Sequence, residues 1–413
     1  MKKEQEPSVF VMNISYTGLG LARSLAREGI RVYGVGSNKS ACGRFSRYLT
    51  FLFSPDSLTQ PNNLCRFLID HVQGFPQKPL LFPTRDHDVN FLRSFRNALD
   101  PYFVIPQSSD NSLDLVFNKW KLHGVAKKIG IPMPNTFLVH NTDEILSVSK
   151  KVRYPALLKP VYASDWRTDF VWNLVGMQKV IFARSKNDLL SSYQRIHPFV
   201  PKTLVQEYIE GDESDIYTFC SYCNKNSEVL TSFNTRKIRQ VPEMFGTGVV
   251  VESAINKDLT EPSVKLLKTI GYHGISEIEY KKDRRTGAYC LIEVNPRFWD
   301  QHLLSKSFGI NLPLIVYNDL IGKNIHESIK MYHSHTWIAE DTYLHLLLDH
   351  LVRRRGDVLK LISEVKGRRC YATWSLTDPL PFIHLMFSKI LTTAKHLKQR
   401  RMRKTSECCI SKI

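Results

Sequence analysis

Apolar and polar positions change period along the chain. Between residues 8 and 117, "VFVMN" and "RVYGVG" are strand-like runs that enclose "GLGLARSLAREG", whose helical spacing predicts a helix closed at Gly29. "PLLFPTRD" and "YFVIPQ" read as later strands that end at polar or proline residues. Strands separated by helices predict a parallel, doubly wound sheet. "NKWKLHGVAKKIGIPMPNTFLV" opens a second unit. Asn118 is placed to cap a helix running to Gly130, and Pro132 and Pro134 hold the chain extended beyond it. From 155 to about 300 strand signals dominate, in "PALLKPV", "QKVIFARS", "TLVQEYI", "DIYTFCSY", "GTGVVVES", "GISEIEY" and "YCLIEVN". Helical spacing returns only at 187–196 and 261–271, which predicts an α+β block. A helical stretch at 339–366, the connector "CYATWSLTDPLP" and a basic helix complete the chain. The expected fold class is α/β followed by α+β with a basic helical extension, in domains 1–117, 118–325 and 326–413.

Composition narrows the function classes. The 413 residues are 43% hydrophobic and 23% charged, as in a soluble globular protein. No run approaches the ~18–20 apolar residues of a membrane span. The charged start precedes a strand-length apolar run that enters a glycine turn, unlike a secretory leader, so the expected location is the cytoplasm. The eight cysteines show no framework spacing. Cys220 and Cys223 form a C-x-x-C without a second pair or a histidine at zinc-site distance, and they read as half-buried strand residues. "TGLGLARSL" lacks the third glycine of a dinucleotide fingerprint, since position 23 is Arg, and no acid ends the next strand. It reads as a tight strand-to-helix turn, which removes a nicotinamide oxidoreductase.

The net charge of +18 calls for a polyanion: nucleic acid, anionic lipid or a polyanionic small molecule. Nucleic acid is the weakest of the three, because no nucleic-acid-binding motif accompanies the charge. Much of the excess follows residue 350, in "LVRRRGDVLK", "EVKGRRC" and "KHLKQRRMRK". In the last helix Phe382, Met386, Ile390, Ala394 and Leu397 recur near helical spacing, with basic residues at the far end. That pattern suits an interfacial helix drawn to anionic membrane, or a helix docked on the protein body with a basic tail.

Candidate chemistry concentrates in "SEIEY" and "CLIEVNPRFWD", two strands joined by the polar loop "KKDRRTG". Alternate residues of a strand share a face, so Glu277 and Glu279 project together, as do Glu293, Asn295 and Arg297. Pairing the strands brings Glu279 near Glu293 and Asn295. This oxygen-only set suits Mg²⁺ completed by substrate phosphates. Arg297 can neutralise a transferring phosphoryl group. Lys159, ending the apolar strand "YPALLKP", calls for an anionic partner. Lys119 can reach phosphates or stand solvated at a helix start. In "LVQEYIEGDES" the strand leaves the core through Glu207 and Ile209, where backbone groups can pair an adenine edge. Glu213 is spaced to reach a ribose hydroxyl. A plain strand, turn and strand is the alternative for that segment. Arg236, Lys237 and Arg239 form a cationic strand or a solvated edge.

Lys119, "LLKP", "QEYIEG" and "IEY…LIEVNPR", in this order and spacing, resemble the ATP-grasp superfamily, in particular its carboxylate–amine ligase-like branch that includes D-aspartate ligases. The resemblance spans residues 8 to about 320 and implies a Rossmann-like pre-ATP-grasp domain followed by two α+β subdomains that grip ATP. It implies that Glu279, Glu293 and Asn295 hold Mg²⁺ (or Mn²⁺). It places Lys119 and Lys159 on the ATP phosphates, Glu207 and the Ile209 backbone on adenine, Glu213 on ribose, and Arg297 beside an acyl-phosphate. The implied reaction phosphorylates a carboxylate with ATP and couples it to an amine. The expected partners are small carboxylate and amine substrates, an anionic cell-envelope precursor among them, and peripheral contact with anionic membrane. A non-catalytic ATP-binding scaffold is the alternative. Where many relatives carry a glycine-rich phosphate lid, this chain has "VYASDWRTDFVWNLVGMQ", which leaves the lid and Lys179 without an assigned role. Arg85, Asp86 and Arg236–Arg239 are the residues expected to select the substrates.

Overall fold

Strand β1 (Val9–Met12) is apolar and buried along its whole length, as a strand covered on both faces must be. It lies inside a parallel sheet of order β3-β2-β1-β4, with β2 (Val32–Gly36), β3 (Thr50–Phe53) and β4 (Leu80–Phe82). Helix Tyr16–Ala26 connects β1 to β2 and Pro61–Val72 connects β3 to β4, while Asp86–Ser94 follows β4. The turn after β1 needs Gly18, because a Cβ there would stand 2.3 Å from the Asn13 carbonyl oxygen. "YFVIPQ" contributes only a single parallel bridge, Val104 to Leu80, rather than the strand its apolar run suggests.

The computed structural model describes residues 6–325, 333–353 and 358–390, and these divide into two compact units. The first unit takes the described residues of Met1–Ile105, Trp337–Val365 and Arg369–Ile413. Its C-terminal portion holds helices Glu340–Arg353 and Val358–Ser363 and a helix over 380–390. The basic stretch beyond 390, with Ala394 and Leu397, lies outside the described residues.

A buried ion pair ties this portion to the parallel sheet's first helix. Arg23 Nε donates to Asp378 Oδ2 at 2.9 Å, its other two nitrogens reach the Thr373 and Asp378 carbonyls, and both side chains are at most 5% exposed. Ser46 Oγ and the Arg47 N–H also donate to the Asp378 carboxylate. Tyr16 donates to Asp341, and Glu340 accepts from the Thr373 and Trp374 N–H groups. Removing one partner of such a pair strands a buried charge, at a cost of about 3–5 kcal/mol. Arg23→Met is therefore expected to lower the melting temperature on the order of 10 °C in calorimetry. An unchanged transition would show that the pair contributes nothing net.

The second unit takes Pro106–Thr336 and Lys366–Arg368, again within the described residues. One antiparallel sheet has order β5-β8-β6-β7, from β5 (Thr136–Val139), β6 (Ala156–Pro160), β7 (Ile181–Ala183) and β8 (Thr203–Glu207). Helices Thr142–Ser149, Asp169–Leu174 and Lys186–Ile196 pack on it, around a core that includes Leu158, Trp166, Leu189 and Tyr193. In the other sheet β9 (Ile216–Cys223), β10 (Val229–Val241), β11 (Thr247–Ala254), β12 (Gly274–Lys282) and β13 (Tyr289–Asn295) neighbour one another in the order β13-β12-β9-β10-β11. Helix Lys119–Lys128 begins as its sequence requires: the Asn118 side chain accepts from the Trp120 and Lys121 N–H groups. Cys220 and Cys223 are fully buried in β9 as free thiols. Among the described residues no helix is long and apolar enough to cross a membrane.

Candidate functional site

The hairpin of β12 and β13 sets the site. Its antiparallel register places Glu279 opposite Glu293 and Glu277 opposite Asn295. Directly opposed side chains share a face with Cβ atoms about 5 Å apart. Asn295 Nδ2 donates to Glu277 Oε2 at 3.1 Å, which leaves its amide oxygen as an acceptor turned elsewhere. Lys237, from β10, reaches across to Glu279 with Nζ 2.6 Å from Oε2, both side chains 13% exposed.

Lysines govern the charge here. Burial pushes the Glu293 carboxyl up, but Lys119, Lys179, Lys237 and Lys159 outweigh it and hold it down at about 2. Burial and the neighbouring Glu279 raise Glu277 to about 7, against Lys237 and Arg297. Lys237 is raised: its burial is outweighed by Glu279, Glu277 and Glu293. Lys159 goes the other way, pulled down to about 8 by burial and then by Lys119.

Lys159 is buried with a neutral partner. It is buried at the end of β6, and its Nζ donates to the neutral Gln206 Oε1 at 2.6 Å. Gln206 is itself fixed, since its Nε2 donates to Thr136 Oγ1 at 2.8 Å and Thr136 donates to the Pro134 carbonyl. An ammonium carries three donors, and among the described residues the hydrogen bond given to this one is to an amide oxygen. A buried cation of that kind calls for an anionic ligand.

The strand end of β8 carries a second group of residues. Glu207 neighbours Gln206 and so faces away from Lys159; its Oε1 accepts from the Arg153 N–H at 3.4 Å. Ile209 is buried just beyond. Glu213 Oε2 accepts from the Gln240 N–H at 3.3 Å, with Arg239 at 3.8 Å, while its Oε1 is buried without a partner. Burial raises its pKa. A carboxylate oxygen orphaned in this way suits a ligand hydroxyl.

The structure thus gathers Lys119, Lys159, Glu279, Glu293 and Asn295 around one hairpin. Arg297 lies near enough to act on Glu277, and it donates to the Phe298 carbonyl at 3.2 Å. Glu207, Ile209 and Glu213 fall on the strand end and the turn after it. Arg236 donates to the Ser214 carbonyl at 2.7 Å. Arg85 belongs to the first unit, where it pairs with the buried Asp88 at 2.9 Å. Sequence reasoning missed Glu277, Gln206 and Thr136 as members. Glu277 was detectable, being two residues from Glu279 on the same strand face.

Among the described residues no cluster of three or more His, Cys, Asp or Glu is arranged to hold a metal by itself. The set here is two carboxylates and an amide oxygen, with an ammonium already against Glu279. Hard oxygen donors of that number fit Mg²⁺ whose remaining positions are filled by water and phosphate oxygens.

Comparison with known proteins agrees in fold. Residues 244–325 match the family model described as carbamoyl-phosphate synthase L chain, ATP binding domain. The chain is similar to D-aspartate ligase of Enterococcus faecium, 21% identical over 313 residues, covering 73% of this chain and 74% of that one. It is 25% identical over 228 residues to the carbamoyl phosphate synthase large chain of Clostridium acetobutylicum, covering 53% of this chain but spanning only 20% of that protein. Among solved structures, N5-carboxyaminoimidazole synthetase from Staphylococcus aureus superposes with TM-score 0.64 at 13% identity, covering 84% of this chain and 86% of the other. The biotin carboxylase domain of Hydrogenobacter thermophilus 2-oxoglutarate carboxylase, solved with magnesium ADP and bicarbonate, gives 0.61 at 16% identity, covering 80% and 74%.

Proposed function

We propose that this chain, which has the ATP-grasp fold, is an ATP- and Mg²⁺-dependent ligase that activates a carboxylate as an acyl-phosphate and couples it to an amine. One observation carries the reading: the buried Lys159, whose ammonium meets only the neutral Gln206, calls for an anionic ligand, which a triphosphate supplies. Lys119 and Lys159 take the phosphates, Glu207 and the Ile209 backbone take adenine, and Glu213 takes a ribose hydroxyl with its orphan oxygen. Glu279, Glu293 and Asn295 would hold Mg²⁺, which supplies charge neutralisation at the phosphate oxygens. A substrate carboxylate oxygen attacks the γ-phosphorus and ADP departs. The amine nitrogen then attacks the acyl carbon, loses a proton, and phosphate leaves. Arg297 stabilises the charge on the transferred phosphoryl group, and positioning with electrostatics does most of the work.

The D-aspartate ligase relative and the L-amino acid ligase of Bacillus licheniformis among the structural neighbours support amino acids as first candidates for both substrates. An anionic cell-envelope precursor, met in the cytoplasm close to a membrane, is the partner that the basic charge supports. The test is phosphate release from ATP over a panel of amino acids and envelope precursors. Release that depends on both a carboxylate and an amine is expected. ATP binding without release under any pairing would favour a scaffold that keeps the fold. Glu213→Gln is expected to raise the KM for ATP about tenfold with kcat little changed, from the loss of one charge-assisted hydrogen bond of ~1.5 kcal/mol. Equal KM values would take Glu213 off the ribose.

A further inference from the structure

The helix over 380–390 presents an apolar stripe to solvent that nothing in the ligase reading uses. Leu380, Ile383, Phe387 and Ile390, with Leu376 one turn ahead, are each more than half exposed. At about 100° per residue the four helical positions fall within an arc of roughly 80°. Of the face the sequence alone suggests, the stripe shares Ile390, whereas Phe382 packs on Trp374, ring centroids 5.2 Å apart. The opposite side of the helix is fastened within the first unit. His384 stacks on Phe45 at 4.0 Å, Pro381 is buried, and Lys389 Nζ lies 3.1 Å from Asp341 Oδ2. The stripe therefore faces outward on a fixed helix.

What covers it follows from the sequence that continues from Ile390. Residues 391–413 carry seven basic residues (Lys395, Lys398, Arg400, Arg401, Arg403, Lys404, Lys412) against the single acid Glu407. Two copies of the chain meeting stripe to stripe would bring two such segments together and repel each other. An anionic surface attracts both features at once: the stripe buries in the acyl boundary while the basic residues meet the headgroups. We propose that Leu376, Leu380, Ile383, Phe387 and Ile390 form a membrane-docking face for anionic lipid. The face belongs to the first unit and none of its residues has a part in the proposed ligase chemistry, so it stands or falls independently of that assignment.

Flotation of the full chain with vesicles tests this directly. Binding is expected to vesicles of phosphatidylcholine with about a third phosphatidylserine, with partitioning at least tenfold weaker to phosphatidylcholine alone. Combining Ile383→Asp and Phe387→Asp is expected to cut binding to the anionic vesicles at least tenfold, with the melting temperature and nucleotide affinity unchanged. No flotation of the wild type at low salt would overturn the proposal. So would a wild-type dimer in solution that Phe387→Asp dissociates while vesicles stay unbound, since that identifies a second copy as the occupant. Stronger vesicle binding after deletion of 391–413 would assign the stripe to the chain's own tail and overturn the role of its charge.

Discussion

Glu293→Gln is expected to cut ATP-dependent phosphate release by roughly 10²–10³-fold, on the scale of removing one preorganised charge stabiliser. Glu293 stands opposite Glu279 in the hairpin, and the lysines around it keep it ionised at any working pH. Glutamine keeps the shape and removes the charge. The lysines then face a triphosphate with less competition, so nucleotide affinity should hold or rise while kcat collapses. That split separates loss of the chemical step from loss of binding. A second signature lies in acid. The folded pKa is below the ordinary 4.5, so the carboxylate's stabilising contribution is present above that value and is lost as pH falls toward 2. The variant should lack this part of the acid transition. Phosphate release equal to wild type would remove Glu293 from the site's chemistry.

Lys159→Met should have the next largest effect, a fall in kcat/KM for ATP of about 10²-fold or more, since it deletes a buried charge placed for an anion. Its pKa makes a finer prediction. In the nucleotide-free protein the ammonium titrates at about 8, so it is losing its charge where most assays end. ATP binding must restore that proton, and the KM for ATP should rise about tenfold per pH unit above 8. Lys159→Arg remains protonated throughout and should show a flat profile there. Stability carries the opposite sign. The unfolded chain holds the Lys159 proton up to about 10.5, so the nucleotide-free protein should gain stability as pH rises from 8 to 10.5. A KM independent of pH in the wild type would show that Lys159 does not meet the phosphates.

The parts of this site that were legible in the sequence are those set by local periodicity. A period of two with acids at 277 and 279, a polar loop, and acid and amide at 293 and 295 is enough to pair the strands in register. Asn118 announced its helix through capping chemistry alone. Distance in sequence hid the rest. Lys237 meets Glu279 across 42 residues and Gln206 meets Lys159 across 47, and no local pattern signals either contact. Gln206 in particular reads as one polar residue in an apolar strand until β6 and β8 are seen side by side. Strand β3 was missed because "TFLF" is short and only partly covered, with its two end residues exposed. The segment over 161–179, unreadable as a phosphate lid, forms a turn and the short helix Asp169–Leu174 capped by Thr168. Lys179 follows that helix and acts on Glu293, which a missing glycine-rich motif gave no reason to expect.

The pairing of Arg23 with Asp378 also sets a timetable. Residues 1–105 carry a complete parallel sheet, yet one of its helices keeps a buried guanidinium whose carboxylate is encoded 355 positions later. At synthesis rates of about 5–20 residues per second, roughly 20–70 s separate the two. Throughout that interval the nascent amino-terminal unit holds an uncompensated cation in what will become its interior, while the nucleotide-site strands are made in between. A sheet made well before residue 378 thus reaches its full native stability only once that residue has been added.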